Sequence, residues 1–270
     1  MSSVAHHMEG ALHEVFQRKY ASGEHLGWGP ELRLQFQYFT PDDIYEAVLS
    51  TLVRSDTAWL DVGCGRDLFP SNAPTAEILA ARCRFLVGLD PSDNIDENPY
   101  LHRRFKGCIE AFHPECRFDL VTLRMVAEHI TDPERMISEL ARISNIGGQV
   151  VVYTVHRWAP VTVISSLVPF CLHHRIKSIL WRTSEQDTFP TSYRMNTRKR
   201  LKTLFAKAGF TEEYFSYLDD CRSFARWKAL SVLELLFWRA LQSVGLHYPE
   251  VCLLGIYRRV PCLRDSDSPV

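Results

Sequence analysis

Apolar residues return along this chain in two rhythms that alternate with each other. Short, nearly unbroken apolar runs, closed by glycine, aspartate or proline, predict buried strands at Ala58–Val62, Phe85–Leu89, Phe118–Leu123 and Val150–Val155. A weaker run at Phe105–Ile109 and two later ones, Phe210–Tyr217 and Val251–Tyr257, bring the predicted strands to seven. Between them apolar residues recur every three or four positions. Thr40-Pro41-Asp42-Asp43 supplies a capping hydroxyl, a proline for the first helical position and acids for the first turn. Ile44, Val48, Leu49 and Leu52 then form one apolar face. Thr131 and Glu134 have capping-box spacing ahead of Met136, Ile137, Leu140 and Ile143, and Asn145 with Gly147-Gly148 predicts the stop. Further helices are predicted from near Thr75, over Thr197–Lys207 and over roughly Phe224–Val244. This alternation predicts an α/β fold: a mostly parallel sheet with helices on both faces, its last two strands forming an antiparallel edge.

Interruptions of the rhythm set the organisation. Residues 1–39 read as a helical and irregular segment ahead of a main domain at 40–260, and residues 157–193 read as a largely helical cap inserted into that domain. Residues 261–270 read as a disordered tail. A length of 270 residues suits one α/β domain carrying such an insertion. The net charge of −1 provides no whole-chain field to recruit nucleic acid or an anionic surface, although a local patch can still do so. The eight cysteines form no CxxC pair and no zinc-ligand spacing, so reduced thiols and no metal are expected. The opening residues lack the basic and apolar regions of a secretory signal, which predicts a cytoplasmic protein. The longest uncharged run, Trp158–Leu172, falls short of a membrane span of roughly 20 residues and contains two prolines. Peripheral membrane contact through 158–182, where Arg175, Lys177 and Arg182 border the apolar residues, stays open.

The strongest local signal for chemistry is Leu60-Asp61-Val62-Gly63-Cys64-Gly65. Glycines at the end of a buried strand accept positive φ and let a ligand approach the backbone, and in doubly wound sheets such turns lie at the ligand-binding crevice. A glycine-rich turn is also a common steric solution with no ligand. Asp90 closes the next strand, where a carboxylate can accept hydrogen bonds from two vicinal ribose hydroxyls, or can simply be a solvated turn aspartate before Pro91. The two features fall in order on consecutive strands.

With those residues in place, the chain resembles the class I S-adenosylmethionine-dependent methyltransferases, particularly the methyltransferase type 11 group. The resemblance is carried by LDVGCG (60–65), VGLDPS (87–92), FDLVTLRMVAEHITDPERMISELARI (118–143) and GGQVVV (147–152). It covers about residues 40–155 well and extends more loosely to about 258. It implies a Rossmann-like seven-stranded sheet and S-adenosylmethionine as cofactor. Asp61, Gly63, Cys64 and Gly65 would line the methionine end, and Asp90, Pro91 and Ser92 would hold the ribose. Ile109 or Glu110 would meet the adenine, and Arg124 and Met125 would pass beneath the cofactor. Two departures matter. Cys108 stands where the family usually has an acid, and Arg66-Asp67-Leu68-Phe69-Pro70 lengthens the loop after the glycines.

A dinucleotide-binding oxidoreductase shares the glycine and acid logic, but Leu68 stands where its fingerprint requires a third glycine. A catalytically silent S-adenosylmethionine-binding protein is the other alternative. Methyl transfer needs alignment and exclusion of water, and a hydroxyl acceptor also profits from a general base. His129 and His156, both after strands, are the candidate bases, with a packing or capping role as the plainer reading of each; Tyr153 and Arg157 are weaker candidates. His173-His174 has no third ligand at metal spacing. The apolar cap, with an aromatic helix containing Trp227 and Trp238, suits a small-molecule or lipid-like acceptor, and equally a dimer interface or ordinary core. Arg198, Lys199, Arg200 and Lys202 read as the solvated face of a helix rather than a nucleic-acid surface.

Overall fold

The computed structural model describes residues 3–21, 27–160, 162–163, 190–249 and 251–261. The strands are β1 (Ala58–Val62), β2 (Phe85–Asp90), β3 (Arg103–Lys106), β4 (Phe118–Arg124), β5 (Ser144–Val155), β6 (Phe210–Asp219) and β7 (Val251–Arg259). The helices are α1 (Ser3–Tyr20), α2 (Trp28–Gln35), α3 (Pro41–Leu52), α4 (Ala73–Arg82), α5 (Pro133–Ile143), α6 (Arg198–Lys207) and α7 (Lys228–Ser243). They build one sheet of order β3-β2-β1-β4-β5-β7-β6. β1 to β5 pair in parallel, while β7 runs antiparallel to both β5 and β6, so β6 again points with the parallel strands. The expected seven-stranded, mostly parallel α/β sheet with an antiparallel last strand is the sheet observed.

Alternation along the central strands divides the core between two faces. Leu60, Val62, Val121 and Leu123 face α5 and α6, whose Met136, Ile137, Leu140, Leu201, Leu204 and Phe205 are buried. Trp59, Leu86, Leu120 and Val151 face α3 and α4, whose Tyr45, Val48, Leu49, Ala76 and Leu79 fill the other side. Four buried side chains on α5 alone (Met136, Ile137, Leu140, Ile143) represent on the order of 8 kcal/mol of apolar burial. Outside this frame, α1 lies against α3, where Lys19 forms buried ion pairs with Asp43 at 3.0 Å and Glu46 at 2.9 Å.

Several boundaries differ from the sequence reading, each for a local reason. Asp132, not Thr131, caps α5, its carboxylate accepting from Arg135 N at 3.1 Å. α4 starts at Ala73 rather than near Thr75, because the Asn72 side chain accepts from Thr75 N and Pro74 fits the first turn. β3 covers 103–106, and Ile109 begins a short 3₁₀ turn instead of ending the strand. α5 passes directly into β5 at Ser144, with Asn145–Gly148 bulging out where pairing to β4 shifts from Phe118↔Ser144 to Leu120↔Gln149. α7 starts at Lys228, later than the periodicity suggests.

Most of the cap, including Val161, Ile164–Phe170, His173-His174, Arg175, Lys177 and Arg182, lies outside the described residues, as do 262–270 of the tail. Among the described residues no helix is long and apolar enough to cross a membrane, and no group of His, Cys, Asp or Glu side chains could hold a metal ion.

Candidate cofactor and acceptor site

The turn after β1 and the end of β2 meet at the carboxyl edge of the sheet. Gly63 and Gly65 adopt φ of +69° and +49°, values that L side chains rarely take. Gly63 N donates to Leu89 O on β2 at 2.7 Å, and a Cβ on Gly63 would stand 2.3 Å from Val126 Cγ2. Gly63 is therefore required by packing against the turn after β4. Gly65 differs. A Cβ there would meet nothing within 4 Å, so its α-carbon faces open space.

Asp90 borders the same turn from the end of β2, 6% exposed. Its Oδ2 accepts from Gly65 N at 2.9 Å, and its Oδ1 accepts from Ser92 N at 2.8 Å and from the Ser92 hydroxyl at 2.6 Å. A carboxylate has about four lone-pair sites, so one remains and a second is held only by a hydroxyl that can rotate away. That is a fit for the paired hydroxyls of a ribose.

Asp61 is buried on the α3 side of β1. Its Oδ1 accepts from the Thr122 hydroxyl at 2.6 Å, and Thr122 in turn accepts from Trp59 Nε1 at 2.9 Å. Burial pushes the Asp61 carboxyl up to about 7, against the opposing pull of Thr122 and Arg124. The Cys64 thiol packs inward on Gly88, whose Cβ would lie 2.7 Å from the sulfur, so only the Cys64 backbone can line the turn.

Of the residues expected to meet the adenine, Ile109 is buried in the core, so only its backbone can serve a ligand, and Glu110 is half-buried; the neighbouring Cys108 is exposed. Pro91 and the loop residue Asp67 are exposed. Met125, after β4, has φ of +53° and donates its N–H to Tyr153 O at 2.8 Å. Arg124 does not lie loose beneath a ligand. Its guanidinium pairs with Asp42 at the start of α3 at 2.9 Å, and Arg222 after β6 pairs with the same carboxylate at 3.0 Å. Burial alone would raise Asp42, but the two guanidiniums overcome it and hold the carboxyl at about 2.

The candidate bases sit at the same edge in different settings. His129 places Nδ1 3.0 Å from the Pro190 carbonyl, beside Ser192 N donating to Glu128 O at 2.7 Å and the Ser192 hydroxyl donating to Ile130 O at 2.6 Å. This turn stitches the chain returning from the cap onto the end of β4. His156, after β5, crosses the Tyr217 ring edge-on with centroids 5.7 Å apart, and partial burial lowers its pKa. The weaker candidates separate too. Tyr153 is buried, its hydroxyl 3.3 Å from Asp42 Oδ1, while Arg157 lies over the exposed Trp158 ring.

The sequence reading missed Asn98. Fully buried, it donates to the carbonyls of Cys64 and Gly65 at 3.3 Å each, and its own carbonyl accepts from Arg104. The Asn98-Pro99 pair marks a turn and was the available signal. The helix after the glycine turn starts only at Ala73, so no helix terminus reaches the turn to receive a pyrophosphate. The basic face of α6 is occupied by ion pairs, Arg198 with Glu212 and Arg200 with Glu134.

The profile of the family described as "Methyltransferase domain" matches residues 33–213. A ubiquinone biosynthesis O-methyltransferase of Coxiella burnetii is 32% identical over 108 residues, covering 36% of this chain and 43% of the relative. Its counterpart in Nitrosomonas europaea is 31% identical over 113 residues, covering 38% and 46%. The matches thus span less than half the length of these relatives. An S-adenosylmethionine-dependent methyltransferase structure from Mesorhizobium loti is 16% identical, covers 82% of this chain and 98% of its own, and superposes with a TM-score of 0.52, which shows a shared fold.

Proposed function

This chain belongs to the methyltransferase-domain family, and on that premise we propose that it is an S-adenosylmethionine-dependent methyltransferase acting on a hydroxyl of a small, largely apolar or lipid-like acceptor. The observation that carries this reading is the glycine turn after β1, open at the Gly65 α-carbon and hydrogen-bonded through Gly65 N to the Asp90 carboxylate at the end of the adjoining strand. The named O-methyltransferase relatives support oxygen as the methylated atom.

In this reading Asp90, with Ser92 turned aside, holds the ribose hydroxyls, and the backbone of Gly63–Gly65 lies along the cofactor. Asp61 presents its carboxylate to the cationic methionine end, which would offset the cost of ionising a buried acid. Ile109 and Glu110 border the adenine, and Met125, set by its positive φ, lies beneath. The bound cofactor supplies a methyl carbon made electrophilic by a sulfonium. The chain's part is to align the acceptor with that carbon, exclude water and take up the acceptor's proton.

His156 is the better base of the two histidines. Partial burial favours its neutral ring, the form able to accept the hydroxyl proton. His129, on the stitched turn, positions the returning chain of the cap. The test is release of S-adenosylhomocysteine in the presence of catechols bearing alkyl chains of increasing length. Acceptor-dependent release is expected, falling by roughly 10²–10⁴-fold in His156→Ala and by much less in His129→Ala. A protein that binds the cofactor yet releases nothing with any hydroxylated acceptor would refute the enzymatic reading in favour of a silent binder.

A further inference from the structure

We propose that the outward face of α7 is a docking surface for an anionic lipid bilayer. The inward face of this helix is accounted for. Leu235 is buried against Leu32, Tyr38 and Tyr248, with Trp238 and Leu241 packed alongside, in a cluster separate from the two sheet cores. The outward face has no such partner among the described residues. Leu230, Leu233, Leu236, Phe237 and Val244 are each between 40% and 68% exposed, recur at helical spacing, and are interleaved only by Ala229 and Ala240. Trp227, 55% exposed, stands at the helix entry. A helix that carries an apolar stripe on its free side as well as on its packed side calls for an apolar environment on that free side.

Charge and area indicate what that environment is. The helix holds one acid, Glu234, and it is turned inward, accepting from Ser223 N, Phe224 N and the Tyr248 hydroxyl. Its exposed charges are Lys228 and Arg239, about three helical turns apart and so on one edge of the apolar face, with Arg226 just before them. None of the three has an ion-pair partner among the described residues. Unpaired cations bordering an apolar face match anionic headgroups above an acyl layer, and long basic side chains reach headgroups while their stems stay apolar. A second copy of the chain fits less well. A helix of this length presents a strip about 24 Å by 10 Å, well under the roughly 800 Å² per partner of a stable protein interface.

The surface also sits where a lipid-like acceptor would be delivered. α7 is tied to the carboxyl end of β6 by Trp238 Nε1 and Gln242 Nε2, which donate to Asp219 Oδ2 at 3.1 Å and 2.7 Å. That is the sheet edge carrying His156 and Asp90. The docking itself does not depend on the methyltransferase reading.

The test is co-sedimentation of the full chain with phosphatidylcholine vesicles, with and without phosphatidylglycerol, alongside analytical ultracentrifugation without lipid. Binding to the anionic vesicles is expected, weakened at least tenfold by Lys228→Glu/Arg239→Glu and abolished by Leu233→Glu/Phe237→Glu. Both double variants should keep the wild-type far-UV circular dichroism, because all four side chains are exposed. No binding by the wild type would overturn the proposal. So would binding that survives Leu233→Glu/Phe237→Glu, which would assign lipid contact to the apolar stretch within 158–182. Concentration-dependent dimerisation lost in that variant would give the face to a second copy instead.

Discussion

Gly63 and Gly65 look equivalent in sequence, but they are glycine for different reasons. Alanine at either pays the strain of a positive φ, about 1–2 kcal/mol. At Gly63 it also collides with Val126, whereas at Gly65 it enters open space. Gly63→Ala is therefore expected to destabilise the fold by several kcal/mol in thermal unfolding. Gly65→Ala should lower stability only modestly and lose cofactor binding. Asp61 gives a second residue-scale prediction. Its folded pKa of about 7 lies above the ordinary 3.8, so its contribution is fully present below pH 3.8 and is lost as pH rises through 7, by about 4 kcal/mol in all. Asp61→Asn should then stabilise the ligand-free protein more at pH 8 than at pH 5, read as the difference in Tm. The motif and Asp90 were legible in the sequence because glycine and aspartate at strand ends have few structural substitutes. Asn98 and the Asp42–Arg124–Arg222 group were not, since their meaning comes from contacts between residues far apart in the chain.

At the scale of elements, α3 is joined to β4 and to the loop after β6 through one carboxylate. Asp42 is held at about 2 by Arg124 and Arg222, below its ordinary 3.8. It therefore contributes about 2 kcal/mol of stability above pH 4, lost as pH falls from 4 toward 2. Asp42→Asn should leave the part-buried Arg124 without its ion-pair partner, cost roughly 2 kcal/mol at pH 7, and flatten the acid limb of the stability profile. Urea unfolding from pH 2 to 7 measures both effects. Element type was readable wherever the apolar period was regular, as in β1, β2, β4 and α5. The ends were less so, because Thr131 and Asp132 are both competent caps and only the chain's approach to α5 selects the aspartate. β3 was misplaced for another reason. It is an exposed edge strand, Arg103-Arg104-Phe105-Lys106, and has no apolar run to announce it.

For the whole molecule, one edge of the sheet gathers what the proposed chemistry needs. The glycine turn, Asp90, the turn after β4 and His156 all follow strands that point the same way, and β6 brings α7 to that same edge. The topology achieves this with residues spread from 61 to 244, so the proposed cofactor end can be read in the sequence as a compact motif, while the proposed acceptor end is an assembly that cannot. The central claim is that the strand-end turn formed by Gly63–Gly65 and Asp90 binds S-adenosylmethionine. Isothermal titration of S-adenosylhomocysteine into the wild type, Gly65→Ala and Asp90→Ala tests it most directly. Saturable one-site binding by the wild type, lost in both variants while each retains a cooperative unfolding transition, is the predicted result. A folded wild type that takes up neither S-adenosylhomocysteine nor S-adenosylmethionine, or an Asp90→Ala variant that binds as tightly as the wild type, would contradict it.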